Sequence, residues 1–368
     1  MKPLRVLHVN TEKGWRGGEV QTLLLARGLS ERGHVSLLAA PAGSRLEALG
    51  REAGLETVPL VARGELDPAG AWRLARDWKR FRPDLLHYHT SHAITLGTIA
   101  SYLAGRRPAV ASRRVSFPLS RNPVARFKYT HRVDRVLAVS GGIRDLLVRA
   151  GIPASCLRVV HSAIDLDRFR TLRSRGEIRS ELGFSSTDFV IGTVGHLASH
   201  KGHRVLIEAA ARAASRARCR YLVAGTGECE AALKEAVRRL NLQDSFRFVG
   251  FLERVEEILP GLDLFVFPSL SGEGSPAALK EAMACSVPVV ASRISGVEEV
   301  SRDGVEALLV PPGDPAALAA AVDMLASDRE LCLEFGRRGR QRAREFGVDR
   351  MVLATESAYR EVLGSTGL

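Results

Sequence analysis

The sequence predicts an α/β protein with two doubly wound, Rossmann-like domains that face each other across a cleft. A chain of 368 residues is too long for one ordinary hydrophobic core and suits two domains. Short, almost continuously apolar segments alternate with helical segments, as expected for parallel strands that are buried on both faces. The polar stretch 162–187 separates two such series, so we expect the linker there.

The first series supplies the strands and helices of the amino-terminal domain. The predicted strands cover residues 4–10, 35–40, 84–89, 109–112 and 135–140, and the predicted helices cover residues 20–31, 71–80, 93–104 and 143–150. The helix at 20–31 is indicated by Val20, Leu23 and Leu24, whose spacing places them on one helical face.

The second series repeats the alternation and ends in a helical tail from residue 316. Its predicted strands cover residues 190–195, 221–225, 246–250, 263–268, 288–292 and 307–310. We therefore predict a basic domain at residues 1–165, a second domain at 166–348 and a final helix at 349–368. Ligands of doubly wound sheets lie beyond the carboxyl ends of the strands, so functional residues are expected there.

The most informative motif lies where the predicted strand 263–268 leads into a helix. Glu273 and Glu281 stand eight residues apart, the first in the loop and the second on the helix. Ser275 is a natural N-cap and Pro276 suits the first helical position, so we expect the helix to begin there. The two carboxylates would then contact different parts of one ligand, although taken alone they also fit a pair of solvated surface acids.

The segment 273–292 resembles the signature of glycosyltransferase family 4, which is a Glu-x7-Glu followed by Ala-Met-Ala and Pro-Val-Val-Ala. This family consists of retaining, nucleotide-sugar-dependent enzymes of GT-B fold, some of which build lipopolysaccharide and cell envelope. The resemblance implies that Glu273 binds donor-sugar hydroxyls and Glu281 binds the ribose hydroxyls. It also implies donor contacts from Gly274, Ser275, Pro276, Ala277, Leu252 and Glu299, and a final helix that crosses back to the first domain.

Two loops are candidates for binding the donor phosphates. Gly17 and Gly18, with Arg16 beside them, follow the first predicted strand, where free amides and a helix dipole favour an anion. By resemblance, this loop meets the donor phosphates. In the second domain, Lys201 is predicted to neutralise the leaving diphosphate. His196 stands where the family usually has Arg, so it either ionises beside the phosphates or leaves that task to Lys201.

The positive charge is confined to the first half of the chain and predicts an anionic partner. Residues 1–165 contain 26 Lys and Arg against 13 Asp and Glu, a net charge of +13, whereas the remainder is at −1. Nine of these basic residues lie within 105–135. We expect peripheral contact with an anionic membrane. Nucleic acid is not expected, because no nucleic-acid-binding motif accompanies the charge.

The acceptor side is predicted from the same region. By resemblance His89 lines the acceptor side, and Arg113 and Arg114 replace a histidine that the family often has near the donor sugar. Arginine suits an anionic sugar or an acceptor phosphate. The histidines 87, 89 and 92 cluster in sequence, but no Cys or carboxylate accompanies them, so no metal site is expected.

Cofactors and location complete the expectations. We expect neither a metal nor a resident cofactor, and the nucleotide sugar, of UDP or GDP type, is a substrate. The five cysteines are odd in number and lack Cys-x-x-Cys spacing, which favours reduced thiols. The first ten residues do not form a signal-peptide core, so a cytoplasmic protein is expected, with peripheral attachment at the inner face of the cell membrane.

The sequence thus predicts a metal-independent, retaining glycosyltransferase that acts on an anionic, lipid-linked or lipopolysaccharide-type acceptor. Two alternatives use the same nucleotide-sugar site. One is a GT-B-fold sugar-nucleotide epimerase, which needs no acceptor, and the other is a non-catalytic scaffold that binds nucleotide sugars. Hydride transfer is disfavoured, because the glycine pattern at Gly225 and Gly227 lacks the third glycine of a dinucleotide fingerprint.

Overall fold

The computed structural model describes residues 2–117, 119 and 123–365, and the chain forms two compact units. Unit 1 comprises Met1–Ala163 and Val348–Leu368, and unit 2 comprises Ile164–Gly347. Arg121 of the predicted basic segment and the last three residues of the predicted helix 349–368 lie outside the described residues.

Unit 1 contains a 7-stranded parallel sheet in the order β3-β2-β1-β4-β5-β6-β7. Its strands are β1 (Arg5–Val9), β2 (Val35–Pro41), β3 (Glu56–Leu60), β4 (Leu85–Tyr88), β5 (Ala109–Arg113), β6 (Arg135–Ala138) and β7 (Leu157–Val159). Its first helices are α1 (Gly17–Glu31), α2 (Arg45–Glu52), α3 (Pro68–Phe81), α4 (Ser91–Ala104), α5 (Pro123–Thr130) and α6 (Gly141–Arg149).

Helices cover the sheet of unit 1 closely. A Cβ at Gly97 of α4 would lie 2.1 Å from the ring of Tyr88 on β4, so only glycine fits at this contact. Residues of β1, β4 and β5 alternate between two apolar clusters, which is why these strands are nearly all buried. Burial of both faces explains the continuous apolar runs that the sequence shows.

Unit 2 contains a 6-stranded parallel sheet in the order β10-β9-β8-β11-β12-β13. Its strands are β8 (Phe189–Val194), β9 (Cys219–Ala224), β10 (Phe246–Gly250), β11 (Leu264–Phe267), β12 (Val289–Ser292) and β13 (Leu308–Val310). Its helices are α7 (Arg175–Glu181), α8 (His203–Arg212), α9 (Glu230–Arg239), α10 (Ala277–Ala284), α11 (Ser295–Glu298), α12 (Pro315–Ser327) and α13 (Arg329–Ala343).

The last helix, α14 (Val348–Ser365), belongs to unit 1 and packs against α1. A Cβ at Gly28 would lie 2.6 Å from a methyl group of Val352, so glycine allows the two helices to approach. Arg32 and Glu356 form an ion pair across the same contact, with a distance of 2.8 Å between Nη2 and Oε2. Within the ranges that the structure describes, no helix is long and apolar enough to span a bilayer.

The prediction of a linker over 162–187 is wrong for most of its length. This stretch contains α7 and a 3-10 helix, Leu166–Phe169. Ile178 is buried in unit 2, and the buried Arg179 donates to the carbonyl oxygen of Gly261 at 2.9 Å and forms an ion pair with Asp263. The stretch is polar, yet its charged side chains form hydrogen bonds and ion pairs with other residues of unit 2, so it is part of the folded unit.

Candidate functional site

The adjacent strands β8 and β11 bring a lysine and a glutamate together beyond their carboxyl ends. Lys201 Nζ lies 2.5 Å from Glu273 Oε1, although the two residues are 72 positions apart. The buried Ser269 donates its hydroxyl to the same carboxylate oxygen at 2.9 Å. The Glu273 side chain is only 9% exposed, whereas that of Lys201 is 23% exposed. Glu273 is therefore held in one orientation, and its partner remains accessible.

The loop that carries Lys201 requires glycine at its end. Gly202 has a φ of +69°, and a Cβ there would lie 1.9 Å from the carbonyl oxygen of Pro268. The amide of Leu270 also donates to the carbonyl oxygen of His200 at 2.8 Å. The loops after β8 and β11 are thus joined backbone to backbone, and this close approach places the ammonium of Lys201 on the carboxylate of Glu273.

Helix α10 begins later than the sequence predicts, and Ser275 does not cap it. Pro276 is the N-cap and Ala277 is the first helical residue, with no side-chain hydrogen bond at the cap. The hydroxyl of Ser275 instead accepts a hydrogen bond from Lys280 Nζ at 3.0 Å. The prediction of Ser275 as N-cap is therefore wrong, because a lysine one turn into the helix binds the hydroxyl that would otherwise form the cap.

Lys280 and Glu281 are both enclosed despite being charged residue types. Lys280 is fully buried, and burial lowers its pKa to about 7 against a small opposing effect of Glu281. Glu281 is 15% exposed, and its Oε1 lies 3.8 Å from Arg168 Nη1. Burial raises the pKa of Glu281, while Arg168 lowers it. Glu281 is therefore mostly enclosed, beside a basic residue that the sequence did not indicate.

The remaining predicted donor residues of unit 2 lie in other loops of the same unit. His196 is half-exposed, and its Nε2 lies 3.1 Å from Glu228 Oε2. Leu252 is partly buried against the core after β10. Glu299 follows α11, the short helix in which a Cβ at Gly296 would lie 2.4 Å from the carbonyl oxygen of Glu273. Helix α11 therefore packs directly on the loop that includes Glu273 and Gly274.

In unit 1, the predicted glycine loop is the first turn of a helix. Helix α1 starts at Gly17, three residues earlier than predicted, with Arg16 as its N-cap. Gly17 and Gly18 have open space around their Cα atoms, so they leave the helix terminus uncovered. Glu19 accepts a hydrogen bond from the Arg16 amide at 3.0 Å, and burial raises its pKa. The first amides of α1 are thus placed as an anion site would need.

Three histidines of unit 1 form a buried cluster. Ring nitrogens of His8, His87 and His89 all lie within 4.8 Å of one another, whereas His92 is exposed and lies near Glu65. Burial is the main cause that lowers the pKa of all three, to about 3 for His8. Neutral imidazoles are the form that could bind a metal ion. Sequence reasoning considered His87 and His89 but missed His8, the third member of this set.

Hydrogen bonds account for much of the cluster without a metal. Arg114 Nη2 lies 3.1 Å from Nδ1 of His89, and an arginine can only donate, so the proton of His89 must be on Nε2. That nitrogen lies 3.0 Å from Nδ1 of His8 and donates to it. His87 contacts Tyr359 at 2.6 Å and Ser112 at 2.8 Å. The guanidinium beside His89 would also repel a bound cation.

The predicted acceptor residues separate into two environments. Arg114 and His89 are in contact, because the Nη1 atom of Arg114 also donates to the carbonyl oxygen of His89 at 3.1 Å. Arg113 is buried in β5 and donates to the hydroxyl of Tyr129 at 3.1 Å and to the carbonyl oxygen of Phe117 at 2.6 Å. Arg114 therefore contacts His89, whereas the side chain of Arg113 is packed inside unit 1.

Sequence reasoning missed Ser269, Arg168 and Lys280 in unit 2. Ser269 directly follows a buried strand, which is a detectable signal, because strand ends are where ligands of such sheets bind. Arg168 lies in the stretch that was predicted to be a linker, where no site residue was expected. Lys280 had no signal of its own, because a lysine on a helix is usually exposed.

Comparisons with known proteins identify the family of the chain. The model of the family described as Glycosyl transferases group 1 matches residues 174–342, and that of Glycosyltransferase Family 4 matches residues 15–168. The chain is 27% identical to the N-acetyl-alpha-D-glucosaminyl L-malate synthase of Bacillus anthracis over 307 residues, which is 81% of this chain and 80% of that protein.

Two further comparisons differ in extent. The amylovoran biosynthesis glycosyltransferase AmsK of Erwinia amylovora is 36% identical over 195 residues, which is 51% of this chain but only 46% of that protein. The crystal structure of HepE from Anabaena in complex with UDP superposes with a TM-score of 0.88 at 22% identity, over 97% of this chain and 100% of that chain. The two Rossmann-like units, the two family matches and these relatives together show that the chain belongs to glycosyltransferase family 4 and is a glycosyltransferase of GT-B fold.

Proposed function

We propose that the protein is a retaining glycosyltransferase that transfers a sugar from a UDP-linked donor to an anionic, lipid-linked or lipopolysaccharide-type acceptor. The single observation that carries the donor half is the contact between Lys201 and Glu273 beyond strands β8 and β11. The complex of HepE with UDP supports a uridine nucleotide as the donor carrier. Retention of configuration is proposed from the family resemblance.

Lys201 and Glu273 have complementary roles in this proposal. Without a donor, the ammonium of Lys201 is neutralised by the carboxylate of Glu273. A bound diphosphate would draw the flexible ammonium toward itself, while Ser269 continues to hold the carboxylate. Glu273 could then accept hydrogen bonds from sugar hydroxyls as the sugar acquires positive charge. Catalysis would come from positioning and from stabilising the departing diphosphate, with Lys201 as the cation.

Glu281 is proposed to bind the ribose hydroxyls. Its side chain is 15% exposed and lies near Arg168, so its carboxylate can accept hydrogen bonds from a ligand. In unit 1, we propose that Gly17 and Gly18 at the start of α1 contact a phosphate. His196, which pairs with Glu228, is proposed as a secondary contact, because its ring is half-exposed and already has a carboxylate partner.

The acceptor half is supported by the chemistry of unit 1. Arg114 and His89 are in contact, and arginine is suited to bind a carboxylate or phosphate. The relative from Bacillus anthracis is named an N-acetyl-alpha-D-glucosaminyl L-malate synthase, a name that includes the dicarboxylate malate, and AmsK is named for the biosynthesis of amylovoran. We therefore propose an acidic acceptor and a role in the cell envelope, at the cytoplasmic face of the membrane.

An exposed aromatic and basic patch on unit 1 is the proposed membrane contact. Tyr102 and Phe127 are 62% and 56% exposed, and both rings stack on His131. The guanidinium of Arg132 lies 3.8 Å from the centre of the Tyr102 ring. Aromatic rings with nearby cations favour the interface of an anionic leaflet.

The donor assignment is tested by two substitutions. Glu273→Gln and Lys201→Ala should each lower kcat/KM by about 100-fold or more, as expected when a group that stabilises developing charge is removed. UDP-glucose is the first donor to assay, with NMR of the product to determine its anomeric configuration. Lys234→Ala is the matched control, because Lys234 pairs with Glu230 on the surface helix α9. Turnover near that of the wild type in either site variant would contradict the assignment.

The membrane contact is tested separately with liposomes. The double variant Tyr102→Ala, Phe127→Ala should lose most of its co-sedimentation with vesicles rich in phosphatidylglycerol. Leu333→Ala, a substitution of an exposed apolar residue on unit 2, should bind as the wild type does. Equal binding of the wild-type protein to neutral and anionic vesicles would remove the electrostatic basis of the proposal.

A further inference from the structure

Lys280 is a fully buried lysine between the two glutamates of the donor motif. Its Nζ donates to the hydroxyl of Ser275 at 3.0 Å and lies 5.2 Å from the centre of the Phe346 ring. Lysine is almost never completely buried, because its ammonium ion loses hydration that few contacts replace. A residue of this kind is normally retained for a reason other than stability.

The loop that Lys280 supports is part of the proposed donor site. Ser275 lies two residues after Glu273, whose carboxylate binds Lys201. This loop also contacts α11, since Gly296 packs against the carbonyl oxygen of Glu273. The loop therefore contacts α11 through its backbone and the buried amine of Lys280 through the hydroxyl of Ser275.

Groups from three elements act on the amine of Lys280 or lie close to it. On its own helix Glu281 favours the ammonium form, but the proximity of Arg168 offsets part of that carboxylate's charge. The 3-10 segment Arg344–Phe346 presents the apolar ring of Phe346, with the guanidinium of Arg342 5.1 Å from the centre of the same ring. The loop contributes the neutral hydroxyl of Ser275.

Burial consequently makes this amine easy to deprotonate near neutral pH. Its pKa is lowered to about 7, so a part of the free protein carries a neutral amine at physiological pH. A neutral amine still donates a hydrogen bond to Ser275, but an ammonium ion donates a stronger one. Any anion that binds close to the loop favours the ammonium form, because opposite charges stabilise each other in a medium of low dielectric constant.

We propose that Lys280 is a positioning residue for the donor loop and that it takes up a proton from solvent when a nucleoside diphosphate binds. The inference rests on the proposed function, because it needs the diphosphate to bind at this loop. The negative charge of the ligand stabilises the ammonium ion of Lys280, and the ammonium ion in turn fixes Ser275 beneath the ligand. The site thus gains one buried positive charge only when it is occupied.

The test is calorimetric titration of the full chain with UDP, in buffers of different ionisation enthalpy at the same pH. Between pH 7.5 and 8.5, the wild-type protein should take up a substantial fraction of one proton per UDP bound, and Lys280→Met should take up much less. The affinity of the wild-type protein for UDP should also weaken as the pH rises from 7.5 to 9, by at most about tenfold per pH unit. This second measurement does not depend on the folding of the variant.

The possible failures are distinguishable. UDP binding without proton uptake and with an affinity that does not change with pH would overturn the role of Lys280 and leave the donor assignment intact. Equal uptake by the wild type and Lys280→Met would do the same, since another group would then be the proton acceptor. An absence of UDP binding by the wild-type protein would overturn the proposed donor, and the inference with it.

Discussion

Replacing Lys280 with methionine should stabilise the protein, and the gain should depend on pH. Methionine has a similar length, fills irregular space and carries no charge that must be desolvated. The change removes the hydrogen bond to Ser275, which costs about 1 kcal/mol at any pH. It also removes a buried amine, which raises the free energy of unfolding. This gain is largest below pH 7, where the folded wild type must keep the buried charge.

The magnitude follows from the shift in the pKa of Lys280. The pKa falls from 10.5 to about 7 on folding, so between these values the unfolded chain binds more protons than the folded protein. The free energy of unfolding of the wild type therefore rises with pH through this window and is lowest below pH 7. A shift of this size lowers the free energy of unfolding of the wild type by about 5 kcal/mol at low pH and by about 2 kcal/mol at pH 9.

The assay is urea unfolding of both proteins at several pH values between 6.5 and 9. Lys280→Met should be the more stable protein at pH 7, and its advantage should shrink by about 2 kcal/mol between pH 7 and 9. Lys234→Met, at a surface position that pairs with Glu230, is the matched control and should show a difference that is small and constant. An advantage for Lys280→Met that stays constant or grows with pH would refute the reasoning from burial.

Two further substitutions test how the site is held. Gly202→Ala should lower the melting temperature and abolish transfer, because it places a Cβ against backbone at a positive φ, whereas Gly195→Ala, which has open space, should be nearly neutral for stability in a thermal melt. Asp263→Ala should destabilise the protein by about 3–5 kcal/mol in urea unfolding, because it leaves the buried Arg179 without its carboxylate; a loss below about 1 kcal/mol would contradict this.

The strands of unit 2 could be predicted from sequence to within two residues at each end, whereas two strands of unit 1 could not. Central strands such as β11 are buried on both faces, so their sequence is continuously apolar. Strand β3 lies at an edge of its sheet, contains Pro59 and is only partly buried, which removes the apolar signal. Strand β7 lies at the other edge and has three residues, too few for a pattern.

The members of the candidate site could be predicted from sequence, but their pairing could not. Glu273 and Lys201 each follow a recognisable strand, and both were expected to act on the donor. Their contact depends on β8 and β11 being neighbours in the sheet, an adjacency that skips two intervening strands. Local sequence patterns contain no information on the order of strands, so the ion pair became visible only in the folded unit.

Lys280 escaped prediction for a different reason, and that reason bears on its role. Sequence patterns assign lysine to the exposed face of a helix, because burying a lysine is costly. A buried lysine is therefore placed wrongly by such patterns. An apolar side chain at this position would make α10 more stable and would satisfy the pattern. The cost of the buried amine is therefore best explained by what it does in the occupied site, where a bound diphosphate would offset it. On this account, the stability that the protein loses to its buried amine and the proton that it takes up with UDP have the same physical origin. Lys280→Met should therefore remove both.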